Sequence, residues 1–184
     1  MRRQDFGVRS SAGFTLVELL VVISVAAILL AIAVPSLQSS LQLNRLDAAS
    51  NQFVATLSMA RSEAVKQGVQ INITSTNGPN WSGGWVECCA PGSTTVPLQV
   101  GAPLSGTMTN YGSTNQIGFD ATGRLVNNGA AANFIFCADG VDATKSKGVT
   151  VALSGRVRIA DQPFNPPGAP LDNNENPMAS CTTP

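Results

Sequence analysis

Two arginines stand two positions apart near the end of the chain, in Gly155-Arg156-Val157-Arg158. On a β-strand, residues with this spacing share a face and lie roughly 6 to 7 Å apart, which is close to the spacing of neighbouring phosphates along a nucleic-acid strand. Guanidinium groups bind phosphate through paired hydrogen bonds. Arg156 and Arg158 are therefore a candidate phosphate-binding pair, which Lys145 and Lys147 could extend. The alternative is that the arginines form a solvated outer face.

The same segment predicts a hairpin that would present these arginines. Ser154-Gly155 separates two β-branched stretches, 148–153 and 156–159, and such a dipeptide is a turn signal. Val157 and Ile159 alternate with the arginines. We therefore expect both to face the core.

Composition argues against an enzyme or a metal protein. The 184 residues include no histidine, which removes the usual general base and the commonest metal ligand. The cysteines show no Cys-x-x-Cys spacing, and Asp120-Ala121-Thr122-Gly123 offers one carboxylate, too few for calcium. This stretch predicts a hairpin turn. We expect no catalytic residue, no metal and no cofactor.

One acid interrupts the longest apolar run. Residues 14–34 are almost wholly apolar, and about 20 such residues span a bilayer as a helix. Glu18 lies within the run, where a carboxylate costs roughly 2.5 to 3.5 kcal/mol on insertion scales. Cleavage after Gly13 would expose the α-amino group of Phe14, which could pair with Glu18 of a neighbouring subunit in a filament.

The charges ahead of the run set its orientation. Arg2, Arg3 and Arg9 precede it and should remain in the cytoplasm, so the C-terminal domain should face outward. The alternatives are a plain membrane anchor or a secretory signal peptide cut after Ala33. Both leave Glu18 unexplained.

Helical periodicity continues after the apolar run. Apolar residues recur every three or four positions and predict one helix from Phe14 to Gln67, with Gly68 as its C-cap. Pro35 predicts a kink or local unwinding. The predicted stripe comprises Leu37, Leu41, Leu46, Ala49, Phe53, Leu57, Ala60, Ala64 and Val65, with Arg61 expected on the polar side.

The rest of the chain predicts strands and turns. We expect Trp85 in the core and Trp81 partly exposed in a loop. The segments 76–84 and 90–96 are predicted to form loops. The Pro- and Asn-rich residues 161–184 are predicted to form an irregular tail. The predicted strands are 70–74, 85–89, 116–119, 124–126, 133–138, 148–153 and 156–159.

The N-terminal residues resemble a known processing signal. Gly13-Phe14-Thr15-Leu16-Val17-Glu18 is similar to the class III signal of type IV pilins and type II secretion pseudopilins. The resemblance implies cleavage between Gly13 and Phe14 and N-methylation of Phe14 by a prepilin peptidase. It also implies that Phe14 and Glu18 take part in filament assembly.

Three further segments resemble the GspH/FimT family of minor pilins and pseudopilins: residues 60–66, 117–124 and 149–159. The resemblance implies an α+β pilin fold, in which a long N-terminal helix packs on antiparallel β-sheets. The expected organisation is a leader at 1–13, a transmembrane and filament-core helix at 14–34, an amphipathic helix at 35–67, a β-rich domain at 68–160 and a tail at 161–184.

The resemblance also bears on the four cysteines. Family members often place cysteines on either side of the Gly-Arg-x-Arg hairpin, which makes Cys137 with Cys181 our first choice of disulfide. Cys88 and Cys89 would then form a vicinal bridge or stay reduced. Alternatively, each of these two pairs separately with Cys137 and Cys181.

Three functions remain compatible with these residues. The first is a minor pilin with major and minor pilins, the prepilin peptidase and the inner membrane as partners. It would be a single-pass protein with a periplasmic C-terminal domain that later joins an extracellular pilus. The second adds binding of double-stranded DNA for natural transformation, since Gly-Arg-x-Arg is implicated in DNA uptake by competence-associated FimT proteins. The third is a type II secretion pseudopilin. Two features argue against tight DNA binding. Basic and acidic residues are equal in number, 11 each, and the tail contains the acidic residues Asp172 and Glu175.

Overall fold

The first element of the chain is a single long helix, α1 (Leu16–Gln67). The computed structural model describes residues 14–88, 99–104, 107–139, 142–160, 170–172, 174–175 and 177–178. The chain divides into two compact units, one ending at Gln38 and the other beginning at Ser39. The helix assignment includes position 35, so the predicted local unwinding is not seen there.

Both ends of α1 have capping residues. The Thr15 hydroxyl accepts a hydrogen bond from the Glu18 backbone N–H at 3.2 Å, which makes Thr15 an N-cap. At the other end Gly68 has φ +68° and donates its N–H to the Ala64 carbonyl at 3.0 Å. The predicted glycine C-cap is therefore confirmed.

The two units use their parts of α1 differently. All large apolar side chains described between Phe14 and Val34 are exposed, and by length and composition the helix could cross a membrane. The buried stripe begins later, at Leu46, and runs to Ala64. Leu37, Leu41 and Val65 are exposed, so the predicted stripe was too long at both ends.

Phe53 is at the centre of the core. Its ring contacts four other aromatic rings edge-on, with centroid separations between 4.9 and 5.7 Å. Edge-to-face pairs at these distances are favourable beyond the area they bury. The partners, contributed by two strands, are Trp81, Trp85, Phe134 and Phe136.

An antiparallel sheet covers the buried face of α1. Its nine described strands are β1 (Ile71–Asn77), β2 (Asn80–Cys88), β3 (Gln99–Gly101), β4 (Met108–Gly112), β5 (Gln116–Phe119), β6 (Leu125–Val126), β7 (Ala132–Ala138), β8 (Lys147–Val151) and β9 (Val157–Ile159). The spatial order is β6-β5-β1-β2-β4-β7-β8-β9, with β3 paired to β2. This confirms the predicted α+β architecture, in which a long N-terminal helix packs on antiparallel strands.

The prediction of a loop at 76–84 was wrong. β1 and β2 form a hairpin closed at Gly78-Pro79, and β2 begins five residues before the predicted strand at 85. Trp81 is 0% exposed and donates its indole N–H to the Thr114 carbonyl at 2.8 Å, whereas an exposed loop position was expected. Gly and Asn residues suggested a loop here, but packing of Trp81 against Phe53 and pairing with neighbouring strands outweigh that weak local preference.

Candidate functional site

The predicted processing site lies at the N-terminal end of α1. Gly13 is outside the described residues, and Phe14 precedes the helix with 79% of its surface exposed. Glu18 lies in the first helical turn and is exposed. Thr15 and Glu18 have the spacing of a capping box, in which a Ser or Thr caps the helix and an acid follows three positions later. That signal in the sequence would have identified Thr15.

The predicted Ser154-Gly155 turn joins β8 to β9. Gly155 has φ +77° and donates its N–H to the Ala152 carbonyl at 2.8 Å. The Ala152 N–H in turn bonds the Arg156 carbonyl at 3.0 Å, closing the hairpin. A left-handed φ is strained for residues with a side chain, which accounts for glycine at 155.

Arg61 fixes this turn to the helix. Its Nε donates to the Gly123 carbonyl at 2.8 Å and its Nη2 to the Ser154 carbonyl at 3.3 Å. One side chain of α1 thus binds the β5–β6 turn and the β8–β9 turn together. Arg61 was expected among the solvated residues of the helix, and its partners had no signal in the sequence.

The two turns also touch each other. A Cβ on Gly155 would overlap the carbonyl oxygen of Gly123 and approach Arg61 Nε to 3.0 Å. Gly123 has φ +77° as well, and a Cβ there would lie 3.0 Å from Val65 Cγ2. The Leu125 N–H adds a backbone hydrogen bond to Leu153 O at 3.1 Å. Both glycines are required by backbone conformation and by close packing.

Arg156 and Arg158 differ in their surroundings. Arg156 is exposed just before β9, whereas Arg158 lies half-buried within β9, opposite Thr150. Val157 packs partly against the core as expected. Ile159 is 39% exposed, so the prediction that it faces the core was wrong. β9 is a three-residue strand at the edge of the sheet, where packing is incomplete.

A groove lies beside Arg156. Its volume is about 440 Å³, and it runs between the last turns of α1 and the start of β9. Hydroxyl, guanidinium and apolar groups line it together, so it could accept an anion attached to a larger ligand. The lining residues are Ser58, Arg61, Ser62, Val65, Gly155, Arg156 and Val157.

The two predicted accessory lysines are placed differently. Lys145 is exposed at the end of a short 3-10 helix, Ala143–Lys145. Lys147 Nζ lies 2.7 Å from Asp47 Oδ1, in an ion pair between β8 and α1. Its charge is partly balanced by this partner, and its contribution to the arginine pair stays a prediction.

The Asp120 turn has a structural role. Asp120 Oδ1 accepts hydrogen bonds from the Thr122 hydroxyl at 2.6 Å, the Thr122 N–H at 2.8 Å and the Arg124 N–H at 3.0 Å. These bonds, led by the Thr122 hydroxyl, hold the pKa of the Asp120 carboxyl below its usual range. The hairpin-turn prediction is confirmed. No group of three or more metal-ligating side chains occurs within the described ranges.

Cys137 is disulfide-bonded in the structure. It lies in β7, is nearly buried and packs in a small cluster with Ile135, Ala160 and Met178. Cys181 and Cys89 lie outside the described residues, and of Cys88 only the backbone is described. The partner of Cys137 is therefore not among the described side chains.

Strand register nevertheless separates Cys88 from Cys137. Asn80 of β2 faces Tyr111 of β4, and Thr109 of β4 faces Cys137. Counting along β2, Cys88 lies about six residues beyond the level of Cys137, or about 20 Å. A disulfide needs Cα atoms within about 7 Å.

Comparison with known families gives two matches. Residues 49–155 match the model of the family described as Type II transport protein GspH. Residues 8–34 match the prokaryotic N-terminal methylation motif. The first match covers α1 from position 49 onward and both turns that Arg61 binds. None of the curated protein sequences compared with this chain matches it.

Solved structures of similar fold include a type IV minor pilin. Crystal structures of FimU from Pseudomonas aeruginosa strain PAO1 give TM-scores of 0.58 (27% identity, 64% of this chain and 90% of that chain) and 0.54 (26% identity, 62% and 92%), in space groups P21 and P65. The minor pseudopilin EpsH from the type 2 secretion system of Vibrio cholerae gives 0.49 at 10% identity, covering 62% and 95%, too low to support an inference.

Proposed function

The chain belongs to the GspH family of type II transport proteins and has the N-terminal methylation motif, and from that premise we propose that it is a minor pilin of a type IV pilus. In this proposal a prepilin peptidase cuts after Gly13 and methylates Phe14. The mature protein is held in the inner membrane by residues 14–34, with its C-terminal domain in the periplasm. It then joins other major and minor pilins in an extracellular filament.

The observation that carries this proposal is the surface of α1 before Val34. Its large apolar side chains are exposed, and Glu18 is the only charged residue between positions 14 and 34. A bilayer would cover the apolar groups, but placing the Glu18 carboxylate within it would cost roughly 2.5 to 3.5 kcal/mol. Assembly that pairs Glu18 with the Phe14 amine of a neighbour would offset this cost.

Two measurements test the assembly proposal. Mass spectrometry of the mature chain should find N-methylated Phe14 at its start, and a start at Val34 would exclude the proposal. The Glu18→Gln variant should still be processed and inserted but should be depleted from sheared filaments. Ser24→Ala is a matched control, because Ser24 is exposed and bonds only the Leu20 carbonyl of its own helix. Equal incorporation of Glu18→Gln and Ser24→Ala would exclude the pairing.

The phenotype of a deletion strain can distinguish a role in a type IV pilus from a role in type II secretion. The similarity to FimU, described as a type IV minor pilin, favours the pilus, whereas the family description favours a type II secretion pseudopilin as the second candidate. Deletion of the gene should abolish surface pili and leave export of secreted enzymes unchanged. The opposite pair of phenotypes would establish the pseudopilin instead.

We also propose that the exposed domain contacts double-stranded DNA during natural transformation. Arg156 supports this proposal because it is exposed at the edge of a groove large enough for a phosphate group and its sugar. Arg158 follows on the adjoining strand. Each phosphate contact should release counterions, so affinity should fall steeply with salt.

Fluorescence anisotropy of a labelled DNA duplex with the mature chain in detergent micelles tests this contact. The Arg156→Ala/Arg158→Ala variant should bind more weakly and with a shallower salt dependence than the wild type. Arg45→Ala is the control, since Arg45 is an exposed arginine on α1 away from this groove. Equal affinity of wild type and double variant would exclude DNA contact by these arginines.

We propose Cys181 as the disulfide partner of Cys137. Met178 packs beside Cys137, and Cys181 lies three positions further along the chain, which allows a reach of at most about 11 Å. The register distance disfavours Cys88. In this proposal the bond ties the tail to β7.

A further inference from the structure

Each of the two turns in contact is followed at once by an arginine. Gly123 precedes Arg124, and Gly155 precedes Arg156. The Gly123 carbonyl oxygen lies against Gly155 so closely that no Cβ fits between them. Covalent geometry then limits the separation of the Arg124 and Arg156 Cα atoms to about 10 Å, although the residues are far apart in the sequence.

Both of these arginines are exposed. Within the ranges that the structure describes, neither guanidinium has a hydrogen-bond or ion-pair partner, in contrast to other cations nearby. Arg61 is occupied by two carbonyls, and Lys147 by Asp47. Arg124 and Arg156 are thus the two neighbouring cations whose donors are available to a ligand.

We propose that Arg124 and Arg156 together form a binding site for a phosphodiester strand. Arg124 is the new member of this site, contributed by the β5–β6 turn rather than by the Gly-Arg-x-Arg segment. The site rests on the DNA contact proposed above and defines its geometry: the two arginines contact one strand from two turns. The groove beside Arg156, with Ser58 and Ser62 on its helical wall, receives the sugar-phosphate backbone.

Two nearby negative charges oppose an anion here, and neither outweighs the arginines. Asp120 lies in the turn that carries Arg124 and attracts its positive charge, and its Oδ1 accepts three hydrogen bonds, one of them from the Arg124 N–H. The C-terminal end of α1 carries a partial negative charge that acts mainly within its last turn. Ser58 and Ser62 precede that turn. The three positive charges of Arg61, Arg124 and Arg156 exceed these two negative contributions, so the net local charge is positive.

The experiment compares single variants of the mature chain in detergent micelles, with a short DNA duplex as the probe. We expect Arg124→Ala and Arg156→Ala each to weaken binding by roughly tenfold, as for loss of one charge-assisted contact. Each should reduce the slope of log affinity against log salt by about one contact's contribution, near 0.9. Arg124→Lys should retain most of that slope, because lysine keeps the charge. Arg45→Ala should bind like the wild type.

The outcomes separate this inference from the proposed function. If Arg156→Ala weakens binding but Arg124→Ala does not, the two-turn site is wrong while the DNA contact stands. If neither changes affinity, the two-turn site is wrong, and equal affinity of the Arg156→Ala/Arg158→Ala variant would exclude the DNA contact as well. If Arg124→Ala fails to fold, Arg124→Gln replaces it, with thermal unfolding to show that this variant is folded. A salt slope of Arg124→Gln equal to that of the wild type would overturn the inference. Vesicles containing phosphatidylglycerol provide the remaining comparison: binding to them in place of DNA would overturn nucleic acid as the ligand.

Discussion

Replacement of Arg61 should destabilise the exposed domain more than any other change of a charged residue on the second half of α1. The Arg61→Ala variant removes two hydrogen bonds from a guanidinium to backbone carbonyls, at 2.8 Å and 3.3 Å. The first is partly buried, and the second is longer and exposed. The Gly123 and Ser154 carbonyls would lose the donor that holds them to the helix.

The size of the effect follows from these two bonds. Hydrogen bonds to charged groups contribute about 1.5 to 3 kcal/mol when well formed. Because the Nη2 bond is long and exposed, we assign most of the effect to Nε. We therefore expect the free energy of unfolding to fall by about 2 to 3 kcal/mol. Arg61→Lys should recover only part of this, since a single ammonium group cannot reproduce the planar two-point contact.

Urea denaturation of the wild type and the two variants measures the change directly, if the slopes against urea remain equal. Hydrogen exchange should locate it: the Gly123 and Gly155 amides should lose protection, since both belong to the released turns. Arg45→Ala serves as the control. If Arg61→Ala lost no more stability than Arg45→Ala, Arg61 would not hold the turns together.

Three further outcomes follow from other contacts. Burial, with a smaller contribution from Glu63, raises the pKa of Glu87. The stability that the protonated Glu87 contributes is therefore fully present below its unfolded pKa and is lost as pH rises through its folded pKa. The urea concentration at the unfolding midpoint should be higher for Glu87→Gln than for the wild type at neutral pH, but not at low pH. A Cys137–Cys181 disulfide closes a loop of roughly 45 residues, so Cys181→Ser should lower the free energy of unfolding by up to about 4 kcal/mol. Reducing agent should then have no further effect on this variant, and an unchanged stability would reject the pairing. Gly155→Ala should cost at least about 1 to 2 kcal/mol from its left-handed φ alone, measured by the same denaturation, and a neutral result would contradict the close packing at Gly123.

Local signals in the sequence were sufficient for several elements. Gly68 marked the end of α1, and Ser154-Gly155 marked a hairpin, because in each case a backbone conformation selects glycine. Helical periodicity identified the buried residues from Leu46 to Ala64. These features depend on residues within a few positions of one another, which a single sequence records.

The contacts of Arg61 could not be predicted in this way. Its acceptors are backbone carbonyls 62 and 93 positions away in the sequence. Every residue has such a carbonyl, so no residue type marks the correct one. The strand beginning at Asn80 was missed for a related reason. Its local sequence favours a turn, and the burial of Trp81 that stabilises it depends on partners in α1 and β7.

The three segments that resembled one family contribute to a single contact. Arg61 comes from the first, Gly123 from the second and Gly155 from the third. Arg61 supplies donors that the turns lack, while Gly155 lets the Gly123 backbone approach where any side chain would collide. Arg61 needs both carbonyls in place, the absent Cβ of Gly155 leaves room for the Gly123 carbonyl, and the absent Cβ of Gly123 leaves room for Val65 and Arg61 on α1. The positions of Arg124 and Arg156 are therefore set by this shared contact, and the charge pattern of either segment alone could not specify them.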